Sequence, residues 1–176
     1  MGRIVVHMTT LTRDQTSSGR RPWEPRLDFD SYAPGLSKAM AALDRAAVAQ
    51  AEQAGLTVAL RELVRLRASQ LNGCAYCVDM HAKDARAAGE NDQRVDALAV
   101  WREVPFYTEA ERAALDLAEA ITLCADGHVR ETVWEAAAEQ FGPTELAALV
   151  GLVVTVNAWN RIGVTTRTWL PGSHTR

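Results

Sequence analysis

Lysine is nearly missing from this chain. Lys38 and Lys83 are the only two, so arginines supply almost all of the 19 positive charges, against 22 carboxylates and a formal net charge of -3. No segment gathers Lys and Arg into a dense stripe, which excludes the electrostatic footprint of a nucleic-acid partner. The N-terminus, MGRIVVHMTTL, lacks the apolar run of a secretory signal. The expected compartment is therefore the cytoplasm. Long apolar runs are scarce as well. The one segment that invites a membrane reading, Leu146 to Val156, is about half of a bilayer span before Asn157, Asn160 and Arg161 interrupt it. That pattern reads as a core or interface helix, with no membrane partner. Cysteine is sparse and odd in number, three residues, which fits one working pair and a bystander in a reducing compartment.

What is present points to helices. With 176 residues, 48% apolar and 23% charged, the chain is long enough for one domain that buries about two-thirds of its unfolded surface. Residues 1–30 are polar and broken by Gly19, Pro22 and Pro25, and read as a flexible arm. Residues 31–170 read as a single helical domain, and 171–176 as a polar tail. Pro34 can open a helix that runs through Ala39 to Ala54 and stops at Gly55. Thr57 is placed to cap a second helix reaching Leu71, and Asn72-Gly73 breaks it. A third runs from near Cys74 to Ala88, a fourth from about Asp92 to Glu103. Thr108-x-x-Glu111 is a capping-box signature for a fifth, reaching about Cys124. A sixth spans about Arg130 to Phe141, and Thr144 is expected to cap a long last one reaching Thr166. No stretch alternates with the period of a strand and no internal repeat is found. The fold class is all-α, with six to seven helices.

The chemistry concentrates in Cys74-Ala-Tyr-Cys77-Val-Asp-Met-His81. On a helix, positions i, i+3 and i+7 share one face, so both thiols and the imidazole line up. Cys74 would sit in the first turn, where unpaired N–H groups and the helix dipole favour a thiolate. Glu62 lies twelve residues before Cys74, on a helix that must fold back through Asn72-Gly73. That places its carboxylate within reach of His81, directly or through a water. The set is sufficient for a thiol peroxidase: one thiolate cleaves the O–O bond and becomes a sulfenic acid, and the second thiol condenses with it to a disulfide. An external dithiol then reduces that disulfide by exchange.

The segment Glu62 to Glu90, ELVRLRASQLNGCAYCVDMHAKDARAAGE, resembles the core motif of the AhpD-like alkylhydroperoxidases in the carboxymuconolactone decarboxylase family. Weaker similarity extends through Val100 to Thr122 and Asn157 to Arg161. The resemblance implies a helical bundle that assembles into trimers or hexamers and reduces organic hydroperoxides. It also implies that Cys77, beside His81, attacks the peroxide, while Cys74 resolves and meets an external dithiol or protein reductant. The dipole favours Cys74 as the more acidic thiol, so the two lines of reasoning differ, and the adjacent base decides for Cys77. The catalytic set is then Glu62, Cys74, Cys77 and His81. No cofactor or metal is expected beyond the redox-active Cys74–Cys77 disulfide. One departure stands out. The best-known members carry histidine just before the second cysteine, where this chain has Tyr76, a phenol unsuited to relay protons near neutral pH. The decarboxylases that name the family lack the cysteine pair, which argues against lactone decarboxylation here.

Two other readings accompany the peroxidase. One keeps the disulfide chemistry but makes the protein a thiol–disulfide oxidoreductase or redox-responsive partner. The other is a structural module pinned by zinc at Cys74, Cys77 and His81, with Cys124 and His128 as conceivable further ligands. Cys124 itself reads as a small buried hydrophobe. His7 and His174 fall in the chain ends and carry no reading alone. Trp101, Trp134 and Trp159 read as core or interface filler. Asn157 and Asn160, amides on an apolar helix, need buried partners and are candidates to hold the cysteine loop or a subunit contact. Arg65 and Ser69, on the face of Glu62, are candidates to support it.

Overall fold

Thr57 and Gly73 bracket the helix on which the others assemble. The computed structural model describes residue 21 and residues 23–175, so most of the expected arm lies outside the described residues. Eight α-helices and no strand are found among them: α1 Phe29–Tyr32, α2 Pro34–Gln53, α3 Val58–Asn72, α4 Ala75–Ala87, α5 Asp92–Ala97, α6 Glu109–Thr122, α7 Glu131–Gln140 and α8 Pro143–Thr166. A 3-10 segment, Leu98–Glu103, follows α5, with a kink at Val100 where φ is -121°. The expected fourth helix is thus a short α-helix continued by a tighter turn. The one-turn α1, capped by Asp28, is an addition to the expected set.

Local chemistry sets the boundaries. The Thr57 hydroxyl accepts from Leu60 N at 3.2 Å, satisfying one of the free donors at the start of α3. At α6 both halves of the capping box form: Glu111 N donates to the Thr108 hydroxyl, and Thr108 N donates to Glu111 Oε2 at 2.8 Å. The last helix starts two residues earlier than expected. Gly142 occupies the cap, Pro143 the first turn, and Gly142 N donates to Glu145 Oε2 at 2.8 Å, so Thr144 is not the cap. Pro143 belongs there because its missing N–H would have had no intrahelical partner.

Two apolar clusters share α3. Leu60 and Val64 join Leu117, Leu149, Leu152 and Val153 in a core between α2, α6, α7 and α8. Leu63 and Leu66, on the other face, pack with Ala85, Leu98, Trp101 and Leu115. Each leucine buried this completely contributes on the order of 1.5–3 kcal/mol. With both faces covered, α3 is buried almost all round, charged residues included. α8 is long and apolar enough to cross a membrane by length and composition. Here it packs one face against α2, α3 and α6, with Leu149, Leu152 and Val156 almost fully buried.

The second cluster is closed by one carboxylate. Glu119 accepts from Arg67 Nε at 2.6 Å, Trp101 Nε1 at 2.8 Å and an Arg102 nitrogen. Burial alone would raise its pKa. The hydrogen bonds from Trp101, Arg102 and Arg67 outweigh it and hold the carboxyl below its ordinary value. A pKa lower in the folded than in the unfolded chain gives stability that is complete above the ordinary carboxylate range. That stability is lost as pH falls through the folded value. Glu119→Gln should therefore lower the urea midpoint at neutral pH and flatten its decline under acid conditions. Parallel acid declines in the two proteins would remove Glu119 from that role.

Candidate active site

The site is built where α3 hands over to α4. Gly73 takes the left-handed conformation at φ 66°, where a side chain would be strained. Cys74 N then donates back to Ser69 O at 3.1 Å, and Cys74 caps α4 with an extended backbone. The turn is clasped from α8. Asn72 Nδ2 meets the side-chain oxygens of Asn157 and Asn160, each at 2.9 Å. Asn160 Nδ2 donates to Ser69 Oγ at 3.1 Å, and Asn157 Nδ2 to Thr122 Oγ1 at 3.0 Å. The two asparagines thus hold the cysteine loop, one of the two partnerships open to them from sequence.

Cys74 and Cys77 are joined as a disulfide, their Cα atoms 5.3 Å apart, and each residue is only 2% exposed. Gly163 of α8 lies against it. A Cβ there would stand 3.1 Å from Cys74 Sγ and 3.8 Å from Cys77 Sγ. One turn beyond Cys77, His81 is buried and its Nδ1 meets Glu62 Oε2 at 2.7 Å. The fold-back therefore brings the carboxylate to the imidazole directly. An ionised Glu62 only accepts hydrogen bonds, so it selects the tautomer with the proton on Nδ1 and leaves Nε2 as the acceptor. Arg65 braces the pair: it bonds Asp44 Oδ1 at 2.8 Å and stands 3.8 Å from Glu62 Oε1. Ser69 instead donates to Arg65 O and receives Asn160, which makes it part of the clasp.

Two clefts reach the disulfide. The first, about 420 Å³, is lined by Cys77, His81, Met80, Arg65, Val156 and Trp159 among others. The second, about 340 Å³, is lined by Cys74, Gly163, Val164, Arg167, Leu170 and Trp23 among others. Tyr76 and Trp169 line both, their ring centroids 5.8 Å apart, and so form the wall between them. Burial, with Asp84, Asp79 and Asp30 nearby, lifts the Tyr76 phenol above its ordinary value. It stays protonated at neutral pH and can pack or hydrogen-bond, but it does not titrate there as an imidazole would.

The wall depends on the chain after α8, which folds back over α4. Trp169 Nε1 donates to Asp30 Oδ2 at 2.9 Å, Gly172 N to Asp79 Oδ2 at 2.9 Å, and His174 Nε2 lies 3.1 Å from Asp84 Oδ1. His174 is therefore tied to the site's own helix, which its place near the chain end did not suggest. Three residues could hold a cation: Glu62, His81 and Asp84 each offer an atom within 4.8 Å of the others. Neither cysteine belongs to that group, and both sulfurs are consumed by the disulfide. Cys124 is exposed at the end of α6, a correction to the buried hydrophobe expected of it. Of the tryptophans, Trp101 is core as expected, Trp134 is 40% exposed, and Trp159 lines the first cleft.

Sequence reasoning missed Asp44, Gly163, Arg167 and Trp169. Gly163 had a signal, a glycine inside a long apolar helix, but Gly151 carries the same one without such a contact. The others lie far from the motif in sequence and meet it only through the fold.

The all-α bundle carries a C-x-x-C disulfide beside a buried carboxylate–imidazole pair, and AhpD-like proteins share its fold. Residues 34–120 match the profile of the Carboxymuconolactone decarboxylase family. YdfG of Bacillus subtilis, an uncharacterised protein, is 36% identical over 139 residues, 79% of this chain and 92% of that one. A solved structure from Agrobacterium tumefaciens, of unknown function and provisionally named an AhpD antioxidant defence protein, superposes with a TM-score of 0.78. It is 35% identical and covers 84% of this chain and 99% of its own. An alkylhydroperoxidase AhpD core from Ralstonia eutropha, an uncharacterised peroxidase-related protein, shares the fold with a TM-score of 0.71 at 24% identity, over 81% of this chain and 74% of its own. The chain belongs to the carboxymuconolactone decarboxylase family and is an AhpD-like member of it.

The two helix glycines give a paired test of the packing at the disulfide. Gly→Ala inside a helix gains about 0.5–1 kcal/mol when there is room, whereas overpacking loses about 1–3 kcal/mol. Gly151→Ala, with nothing within 4 Å of its Cβ, should raise the melting temperature. Gly163→Ala should lower it. A rise in both would mean that α8 does not press on the sulfurs.

Proposed function

We propose that this protein is a thiol-dependent peroxidase that reduces organic hydroperoxides through a Cys74–Cys77 disulfide cycle. The observation that carries the reading is the 2.7 Å contact between Glu62 and His81 at a cleft that His81 shares with Cys77. In the reduced protein His81 Nε2 accepts the Cys77 proton while Glu62 stabilises the resulting imidazolium. The Cys77 thiolate attacks the outer peroxide oxygen, the O–O bond breaks, and the departing alkoxide takes the proton and leaves as an alcohol. Cys74 then attacks the Cys77 sulfenic acid, water departs and the disulfide forms. An external dithiol or protein thiol attacks Cys74 and returns both cysteines to the reduced state. The disulfide serves as the redox group, and no separate cofactor takes part. Positioning of this kind typically contributes about 10²–10⁴-fold through proton transfer. The apolar side of the first cleft, with Met80, Val156, Trp159 and Trp169, suits the organic part of a hydroperoxide.

A second reading, a thiol–disulfide oxidoreductase with little peroxidase activity, draws on Tyr76. Without a relay histidine before Cys77, proton transfer rests on Glu62 and His81 alone. The setting in both readings is a reducing cytoplasm, and assembly into trimers or hexamers would cover the exposed Leu36 and Leu43 of α2 and Val154 of α8. Sedimentation at micromolar concentration should give such a multiple, and a monomer would refute the assembly.

Turnover of cumene hydroperoxide with a dithiol reductant tests the chemistry. Wild type should turn over, Cys77→Ser should fall to background, and Cys74→Ser should leave a sulfenic acid on Cys77 that dimedone traps. Glu62→Gln should lose about a hundredfold. An inactive wild type whose reduced Cys74 and Cys77 still reduce small disulfides rapidly would favour the second reading.

A further inference from the structure

The two sulfurs of the disulfide open to different clefts. Cys77 lies in the first with His81, and Cys74 in the second with Gly163 and Arg167. The Tyr76–Trp169 wall separates them, fixed by Trp169 Nε1 on Asp30 and by the edge contact of Trp169 with Trp159, 5.4 Å between centroids. A molecule that attacks Cys74 therefore approaches from the side away from the peroxide.

The second cleft has a distinct chemistry. Trp23, Val164, Trp169, Leu170 and Pro171 make it apolar, and among the described residues Arg167 is the sole charged side chain along it. The Arg167 guanidinium has no ion pair or hydrogen bond with any described residue, whereas Arg67, Arg86, Arg94 and Arg102 each hold a carboxylate. Its backbone is also unusual. Arg167 takes the left-handed conformation, φ 53°, at the end of α8, where glycine is the ordinary occupant. Among the described residues only His128 shares this departure. The turn sends the chain back over α4, and it is an arginine rather than a glycine that makes it beside Cys74. At about 340 Å³ the cleft has the size of a small-molecule site.

We infer that the second cleft is the reductant site and that it takes a small thiol carrying a carboxylate, which Arg167 holds against Cys74. The inference rests on the disulfide cycle proposed above and names the electron donor's chemistry. The bound thiolate attacks Cys74 Sγ. The Cys74–Cys77 bond breaks, a mixed disulfide forms with Cys74, and the electron pair leaves on Cys77 as a thiolate. A second thiolate, from the same or another donor molecule, attacks the donor sulfur and releases the Cys74 thiolate. The donor leaves as its disulfide, and the two protons lost by the thiols return to Cys74 and Cys77. Two electrons move to the protein, and the peroxide is not involved.

The test is the reduction half-reaction of the full-length oxidised protein, followed by alkylation and mass spectrometry with no peroxide present. The probes are mercaptopropionate, mercaptoethanol and cysteamine, which are anionic, neutral and cationic thiols. Comparing each probe between wild type and Arg167→Gln cancels its intrinsic reactivity. Arg167→Gln should slow mercaptopropionate roughly fivefold, the scale of one partly screened ion pair, leave mercaptoethanol within about twofold, and not slow cysteamine. Arg167→Lys should restore most of the loss, and high salt should erase the difference. Equal slowing of all three thiols, or none, would overturn the assignment. Such a failure leaves the peroxidase untouched. Conversely, charge-dependent reduction in a protein that does not consume hydroperoxide would sink the peroxidase and keep the reductant site.

Discussion

The turn from Asn72 to Cys74 is the constraint on which the site depends. Helices α3 and α4 must run back on each other for Glu62 to meet a residue nineteen positions later at 2.7 Å. Gly73 supplies the backbone conformation, but a left-handed glycine alone fixes a turn and not an angle. The angle is held by amides. Asn72 is grasped by Asn157 and Asn160, and Asn160 also takes Ser69, so the last turn of α3 is locked to the middle of α8. Ser69, Asn157 and Asn160 are buried and Asn72 half-buried, and an unmatched buried group costs about 1–3 kcal/mol, which makes the clasp specific as well as firm. A polar network that is fully matched inside an apolar helix contact permits one arrangement of the two helices.

That fixed arrangement lets the disulfide be served from two sides. Because α8 presses Gly163 against both sulfurs, neither cysteine is open to bulk water, and access is confined to the clefts on either side of Tyr76 and Trp169. The confinement has a chemical consequence. In the proposed cycle a sulfenic acid on Cys77 has Cys74 as its nearest nucleophile, which favours condensation over further oxidation. A carboxylate–imidazole pair kept out of water also holds its proton geometry without reorganisation, the condition under which positioned acids and bases are most effective.

Most of this was legible in the sequence, and the limits are instructive. The helices were readable because caps and breakers act locally: Thr57, Thr108 and Gly73 announce themselves within three or four residues. The motif was readable because one helix face carries it, and Glu62 because a broken helix has to fold back. Thr144 misled since a threonine that could cap stands two residues from a proline that starts the helix equally well. Cys124 misled because its helix face is apolar up to Thr122 and ends just before it. Trp169, Asp44 and Arg167 carried no signal at all. Their roles come from the return of the chain after α8 and the packing of α2 on α8, long-range contacts that no local pattern encodes.

Tyr76 shows how the same fold can be retuned by one position. A histidine there would add a titrating group in the wall between the clefts. The tyrosine adds instead a protonated ring that packs tilted against Trp169 and is held neutral by burial and by three nearby carboxylates. In the proposed cycle proton transfer then rests on Glu62 and His81 in the first cleft, and the wall stands between that cleft and the one proposed for the reductant. A relay passing through the wall would link the protonation of Cys77 to whatever occupied the second cleft. With tyrosine in place the wall carries no group that titrates near neutral pH, and among the described residues the charge in the cleft proposed for the reductant is that of Arg167.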